Sequence, residues 1–306
     1  MNKKKKKTSS AAVNGRLVSR PIRRCFPIFM LPTFVAFCIG FIWLFLQGLY
    51  LSCCKFVVTK NAQWVGFENY IKAFNDTGFR YSFGYTAAFT VVSVIAINLL
   101  AFTVAYLLTQ NIKGANIFRT VFFMPNLIGG IVLGYIWSMI FDGILRYYDT
   151  YLLAETKYGF WGLVILMCWQ QVGYMMIIYI AGLQSISEDM IEAAKIDGAN
   201  KWQTLWQITI PNVMSSFTIC IFLTLTNSFK LFDQNLALTD GMPIAFGEGD
   251  SMVNTTEMIA LNIYRAFYQG STNRGMAQAK AVIFFIVVAI VGIAQLKFTR
   301  EKEVQQ

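Results

Sequence analysis

The sequence predicts an all-α polytopic membrane protein with six transmembrane helices, and three observations predict it. Hydrophobic residues make up 56% of the 306 residues and charged residues 14%, where soluble domains average about 45–50% and about 25%. The 27 Phe, 14 Tyr and 7 Trp carry more apolar surface than one soluble core could hide. Finally, residues 25–54, 81–112, 120–141, 158–187 and 202–229 hold no charged side chain, and a sixth apolar stretch, 281–296, extends back to about Met276. A spanning helix needs ~20 mostly apolar residues, so each stretch suffices.

The amino-terminal segment, 1–24, is basic, with Lys3 to Lys7, Arg16, Arg20, Arg23 and Arg24. The first helix is expected over 26–52. Its apolar run is about twice the 7–15 residues of a signal-peptide core and no small-x-small cleavage site follows, so it reads as a retained helix. The next spans are expected at 81–109, 118–141 and 158–182. The fifth, 212–233, follows Pro211, a residue suited to a helix start. The sixth covers 276–297, and 301–306 forms a tail.

Lys and Arg set the orientation. The amino-terminal cluster falls on one side with Lys113, Arg119, Lys195, Lys201, Lys297, Arg300 and Lys302; the other side holds about half as many. Basic residues stay inside, so both termini are expected in the cytoplasm of a cell-membrane protein. A net charge of +10 then reflects an anionic lipid surface rather than nucleic acid. The long external connections are 53–80, with Cys53 and Cys54 at the outer surface, and 234–275. In the latter, Asn254 followed by Glu257 reads as the start of a short amphipathic helix carrying Ala260, Tyr264 and Phe267.

Several chemistries are excluded. The chain has no His, which removes His bases and most zinc sites. It lacks G-x-x-x-x-G-K-[ST], so it does not power itself with ATP. Its six cysteines show no C-x-x-C spacing and read as free thiols with no metal role.

The cytoplasmic loop 185–211 carries the most information. Ser187 suits a helix cap, Glu188 and Asp189 fall in a first turn where the dipole favours acids, and Gly198 suits the position past a helix end. A second short helix is expected around Lys201 to Gln207. Two adjacent alanines and a glycine leave a low surface that another protein can approach, although a hairpin lying on the membrane fits equally well.

Residues 192–211, EAAKIDGANKWQTLWQITIP, resemble the E-A-A loop of ATP-binding-cassette importer permeases: Glu192, Ala193, Ala194, Asp197, Gly198, Ala199, Ile208, Ile210 and Pro211 stand in the family's places. WVGFENYIKAF (64–74), RTVFFMP (119–125) and FKLFDQNLALTDGMP (229–243) resemble further segments of the carbohydrate permeases. Asp240 and Met242 stand where that family usually has Gly, and Ser187 replaces a common Pro. The resemblance implies a type I importer transmembrane fold, of the maltose and glycerol-phosphate first-permease type. It implies a non-catalytic chain that pairs with a second, non-identical permease above two cytoplasmic ATPases, which hold the ATP and Mg. An external solute-binding protein delivers a sugar. Glu192, Ala193, Ala194, Asp197, Gly198, Ala199, Ile208 and Pro211 are then the ATPase-coupling residues, and no cofactor or metal is expected on this chain.

Polar residues inside spans should face protein or a water-filled cavity. Thr224, Asn227 and Ser228 share one helical face by i, i+3, i+4 spacing. With Trp169, Gln170 and Tyr174 of the fourth span they are the expected lining of a sugar pathway, although such groups also bond helices together. Gly130 and Gly134 read as a close-packing face, and Lys230 and Asp233, three apart, are placed to neutralise each other. An ion-coupled secondary transporter, or a polytopic membrane enzyme, remains as the alternative; neither finds the mid-membrane charges or the acid cluster it needs.

Overall fold

The computed structural model describes residues 30–110, 112–246, 251–269 and 273–300. The basic segment 1–24 and the tail 301–306 lie outside the described residues. The chain divides into two units, residues 1–50 and 51–306. Helix α1 (Met30–Ser52) accounts for the described part of the first. It opens into a wide π turn at Cys38–Trp43, beside which Phe37, Phe41 and Phe45 stack at 5.2 and 6.4 Å.

The second unit begins with a short antiparallel pair, β1 (Cys54–Lys55) and β2 (Gln63–Trp64), and a short helix, α2 (Glu68–Asn75). Asn69, 1% exposed, anchors this turn by donating to the carbonyls of Ser52 and Cys54 at 2.8 and 2.9 Å and accepting from Asn273 at 2.8 Å. The core is built by three long elements: α3 (Thr77–Leu108), α6 (Thr156–Gln184) and α9 (Met214–Phe229). Phe89, Leu166, Met167, Met175, Tyr179 and Cys220 are fully buried between them. Tyr179 meets Phe102 and Phe217 at ring distances of 5.5 and 4.8 Å. Helix α12 (Arg274–Arg300) closes the chain.

Among the described residues, α1, α3, α6 and α12 are each long and apolar enough to cross a membrane, and the number rises to six if each of two bent pairs is one span. The bends correct two expectations. The third span is not one straight helix over 118–141 but α4 (Ala115–Phe123) and α5 (Gly130–Leu145), whose axes turn by 102°. Pro125 lacks the N–H that would continue the helix. The chain tightens at Met124–Leu127 and then runs extended through Ile128 and Gly129, ψ 134° and 140°. The fifth span starts at Met214, and Pro211 lies inside the preceding helix α8 (Lys201–Asn212), bent from α9 by 68°. A π turn at Leu205–Thr209 precedes Pro211 and gives its ring room against the previous turn.

Close approaches fix the neighbours. A Cβ on Gly130 would lie 2.8 Å from Asp233 Cβ, and one on Gly134 2.5 Å from Ala237 Cβ. The small-residue face of α5 therefore packs on α10 (Asp233–Leu238). Lys230 caps α9 while Asp233 opens α10, so the two do not share a helix and the expected neutralising pair does not form. Asn254 sits in β4 (Met252–Asn254), paired antiparallel with β3 (Ile244–Phe246). The expected helix start gives way to α11 (Ile259–Tyr268), capped at Met258. Cys54 is fully buried with Leu51 and Phe56 rather than at the surface, and Cys53 is half-buried.

Candidate functional site

The loop after α6 folds as the expected hairpin. Helix α7 (Glu188–Ile196) follows Ser187, which takes the cap position without making the side-chain bond. Its far end closes with two reversed bonds, Gly198 N–H to Lys195 O at 3.1 Å and Ala199 N–H to Ala194 O at 2.9 Å, the arrangement that needs a left-handed residue past the helix. Gly198 supplies it at φ +79° with open space around its Cα. Helix α8 opens with a capping box that sequence reading missed, Asn200 and Gln203 exchanging bonds of 2.8 Å. The signal was present as Asn followed three residues later by Gln.

Glu192, Ala193 and Asp197 are exposed, Ala194 is buried, and Ala199, Ile208 and Pro211 are half-buried. Ile196, Trp202 and Trp206 stand 81%, 70% and 63% exposed. The hairpin thus presents four exposed acids, Glu188, Asp189, Glu192 and Asp197, and a group of large apolar side chains with nothing packed over them, the character of a docking surface.

The legs of this hairpin are clasped where they enter the body. A Cβ on Gly182, near the end of α6, would fall 2.2 Å from Ser216 Oγ and 2.5 Å from Val213 Cγ1 at the start of α9. Two residues before Gly182, Ile180 is buried in the core.

Higher in the same helices lies a polar seam. Gln234 donates to Gln170 Oε1 at 2.7 Å, Gln170 donates to the Ile128 carbonyl at 3.3 Å, and Asn227 donates to Gln171 Oε1 at 3.3 Å. Gln170 thereby satisfies a carbonyl released by the break between α4 and α5. Trp169 is exposed beside this seam, 5.5 Å edge-on from Trp137, while Tyr174 is half-buried against the core.

The expected common face of Thr224, Asn227 and Ser228 divides. Thr224 is fully buried; its hydroxyl donates to Cys220 O at 2.7 Å and accepts from Asn98 at 2.9 Å. Asn98 in turn accepts from Tyr179 at 2.7 Å. That triad bonds α3, α6 and α9 together. Ser228 is also fully buried, with a hydroxyl lacking a partner. Only Asn227 of the three reaches the seam, because Thr224 and Ser228 turn into the helix packing. Asn98 and Tyr179 were missed; the signal was a lone Asn inside an apolar span.

On the α2 side of the body, a chain of charges joins four elements. Asp240 takes φ +44° at a position where the resembled family has Gly. Its carboxylate and carbonyl both accept from Arg265 at 2.6 Å. Arg265 also meets Glu257 at 2.9 Å, Asn262 bridges Glu257 (2.8 Å) and Lys280 (3.0 Å), and Lys280 pairs with Asp76 at 3.1 Å. Lys280 and Glu257 are each 3% exposed.

Broken spans around a shared helical core, an exposed hairpin between the fourth and fifth spans, and an uncharged polar seam define an integral-membrane component of a transport system. The chain belongs to the family described as binding-protein-dependent transport system inner membrane component, whose profile matches residues 97–302. It is 40% identical over 286 residues to a probable starch degradation products transport system permease, AmyD, of Thermoanaerobacterium thermosulfurigenes, covering 91% of this chain and 94% of that one. It is 30% identical over 268 residues to the multiple sugar-binding transport system permease MsmF of Streptococcus mutans, covering 84% and 89%. A crystal structure of a bacterial importer of the acidic polysaccharide alginate has the same fold, at a TM-score of 0.76 and 18% identity over 92% of this chain and 97% of that chain. The chain is accordingly a permease subunit of an ATP-binding-cassette importer with a type I transmembrane fold. As such it is non-catalytic and works with an ATPase and a solute-binding protein.

Proposed function

We propose that this permease takes up a sugar or oligosaccharide, and that it pairs with a second, non-identical permease above two ATPases, which bind the ATP and Mg. Six spans cross the cell membrane with both termini in the cytoplasm; residues 185–211 face the ATPases, and 234–275 face the solute-binding protein. Support for the solute class comes from relatives named for starch degradation products and multiple sugars. Support for the coupling role comes from the hairpin. Its first helix is locked by the Gly198 turn, its acids and its large apolar side chains are uncovered, and its legs are clasped at Gly182. A rigid hairpin held in a moving cleft turns ATPase closure into rotation of the attached spans.

In this reading Glu192, Ala193, Ala194, Asp197, Gly198, Ala199, Ile208 and Pro211 are the coupling residues. The solute passes the seam of Asn227, Gln170 and Gln171, with Trp169 offering an aromatic face to sugar C–H groups and Tyr174 behind it. Thr224 and Ser228 hold the surrounding helices in place. Replacing Glu192 with Lys, or Gly198 with Pro, is expected to abolish uptake of a labelled maltodextrin by intact cells while the subunit inserts at its normal level. Uptake unchanged in both variants overturns the coupling assignment.

A further inference from the structure

A cavity of about 530 Å³ lies at the far end of α5, away from the break at Ile128–Gly129, and neither the hairpin nor the seam uses it. Asp142, Arg146, Asp149, Thr150 and Tyr151 line it. Its frame is fixed by the way α5 ends. The Thr150 amide donates to the Leu145 carbonyl at 3.2 Å and the Asp149 amide to the Arg146 carbonyl at 3.1 Å, a closure that needs a left-handed residue past the helix. Asp149 takes that place at φ +53°, where glycine is free of strain and a side chain is not. Asp142 Oδ1 accepts from the Leu152 amide at 2.8 Å, and Leu152 is 1% exposed in the core. The Asp142 carboxylate is thereby held in place with Oδ2 still available. Two carboxylates and a guanidinium share this cavity, yet among the described residues none pairs with another. Tyr151, 59% exposed, adds an aromatic face. A line of rings leads from here to the seam: Phe141, next to Asp142, lies 5.0 Å from Trp137, and Trp137 lies 5.5 Å from Trp169, next to Gln170.

We propose that this cavity is a capture site for an oligosaccharide, holding it before the solute reaches the seam. The ligand class follows from the lining. A vicinal diol donates to a carboxylate and accepts from a guanidinium, and the C–H face of a pyranose ring packs on Tyr151. An anion would meet two carboxylates against one guanidinium, a cation would meet that guanidinium, and a hydrocarbon chain would find no apolar wall beyond Tyr151. The volume lies within the range of about 300–1,000 Å³ usual for small-molecule sites. Asp149 carries the most weight. Glycine would make the same turn at lower cost, so the turn does not account for the carboxylate, and a strained position beside a cavity is where function is to be sought. This inference rests on the sugar reading proposed above and adds a second site to it.

The test uses the assembled importer in nanodiscs without its solute-binding protein, titrated with maltoheptaose and followed by saturation-transfer difference NMR. The wild type is expected to show saturable binding. Asp149→Gly and Asp142→Asn are each expected to weaken it at least fivefold while the melting midpoint holds, because glycine suits the left-handed turn and Asn keeps the oxygen that accepts from Leu152. Tyr151→Ala is expected to weaken it at least threefold, whereas Tyr147→Ala, at an 87% exposed ring outside the cavity, is expected to leave it unchanged. No saturable binding by the wild type, or wild-type binding in both acid variants, overturns the proposal. So does a loss of solute-binding-protein association in Asp149→Gly with maltoheptaose binding intact, which would make the patch a protein contact. Maltodextrin uptake by liposomes holding the importer and its binding protein tests the sugar reading separately. Uptake by the wild type without maltoheptaose binding in nanodiscs removes the capture site and leaves that reading standing.

Discussion

Lys280 is a cation inside a membrane-crossing helix, and the energetics of its pairing can be tested directly. Its side chain is 3% exposed; the ammonium lies 3.1 Å from Asp76 Oδ2, 3.0 Å from Asn262 Oδ1, and 5.3 Å from the centre of the Phe79 ring. The Asp76 side chain is 28% exposed and also caps α3, accepting from the Phe79 amide at 2.7 Å. Removing one member of a buried pair strands the other, at about 3–5 kcal/mol. Asp76→Asn keeps an N-cap oxygen but removes the charge, so it isolates that term. The expected loss of about 3–5 kcal/mol corresponds to a melting midpoint lowered by about 5–8 °C for a chain of 306 residues. Asp76→Ala adds the lost cap, about 1 kcal/mol more. Lys280→Met costs less, about 1–3 kcal/mol, because water reaches the stranded Asp76 and the main loss is the unmet Asn262 oxygen. The double variant Asp76→Asn, Lys280→Met removes both charges and should recover part of the loss, giving a coupling of about 1–3 kcal/mol. The assay is thermal melting of the purified permease by intrinsic fluorescence, with all variants in one detergent. Strictly additive single effects would refute the buried-pair reasoning. So would Lys280→Met proving more damaging than Asp76→Asn.

Three further outcomes are expected. An impermeant maleimide applied to intact cells should modify Cys53 and spare the fully buried Cys54; labelling of Cys54 alone contradicts the packing of Leu51, Cys54 and Phe56. Gly173→Ala should reduce folded permease sharply, because its Cβ would fall 1.8 Å from the Phe122 carbonyl, whereas Gly143→Ala, with nothing within 4 Å, should be tolerated; overpacking against backbone costs at least about 1–3 kcal/mol, and equal yields of the two would disprove the close approach of α4 to α6. Asn227→Ala, which leaves Gln171 without its partner at about 1–3 kcal/mol, should weaken uptake several-fold while assembly stays normal, whereas Thr224→Val should lower the melting midpoint; the reverse pattern would exchange the roles assigned to the two residues.

What could be read from sequence was local or periodic. Charge-free stretches located the long apolar segments because membrane helices must be apolar throughout, and Gly198 announced a helix end because few residues take positive φ. The bends were harder to read. Pro125 was visible, but a proline in an apolar run can open a helix, kink it or end it, and the extended pair Ile128–Gly129 depends on Gln170, 42 residues away. Lys280 showed no partner because Asp76 is 204 residues distant, and nothing in either neighbourhood points to the other. The face shared by Thr224, Asn227 and Ser228 was sound as geometry. Its assignment to the pathway did not carry over to Thr224 and Ser228, because periodicity groups residues on a face without saying whether that face meets a cavity or, as at Asn98, another helix.

The positions of the bends bear on how a push at the hairpin reaches the seam. Between α7 and the seam, α6 is one unbroken helix, so in the proposed coupling role a displacement of the hairpin meets no joint along it. The other leg is jointed, with a π turn at Leu205–Thr209 and a 68° bend at Val213. By itself that leg would absorb the motion. Gly182 removes the freedom, because Val213 and Ser216 sit against it at distances that leave no room for a Cβ, and the jointed leg must follow the unbroken one. Above this clasp the Asn98, Thr224 and Tyr179 triad binds α6 and α9 to α3. The three helices are thus bonded to one another, and Gln170, Gln171 and Asn227 belong to them. Opposite them, the Ile128 carbonyl and Gln234 belong to the broken third span and to α10, which α5 grips through Gly130 and Gly134. The seam bonds at 2.7 and 3.3 Å are thus the contacts that a rotation driven from the hairpin would break first. They are single neutral hydrogen bonds, each contributing about 0.5–1.5 kcal/mol. In the proposed function these bonds are polar contacts that can exchange as the pathway opens, while α4 stays packed on α6 where Gly173 meets the Phe122 carbonyl.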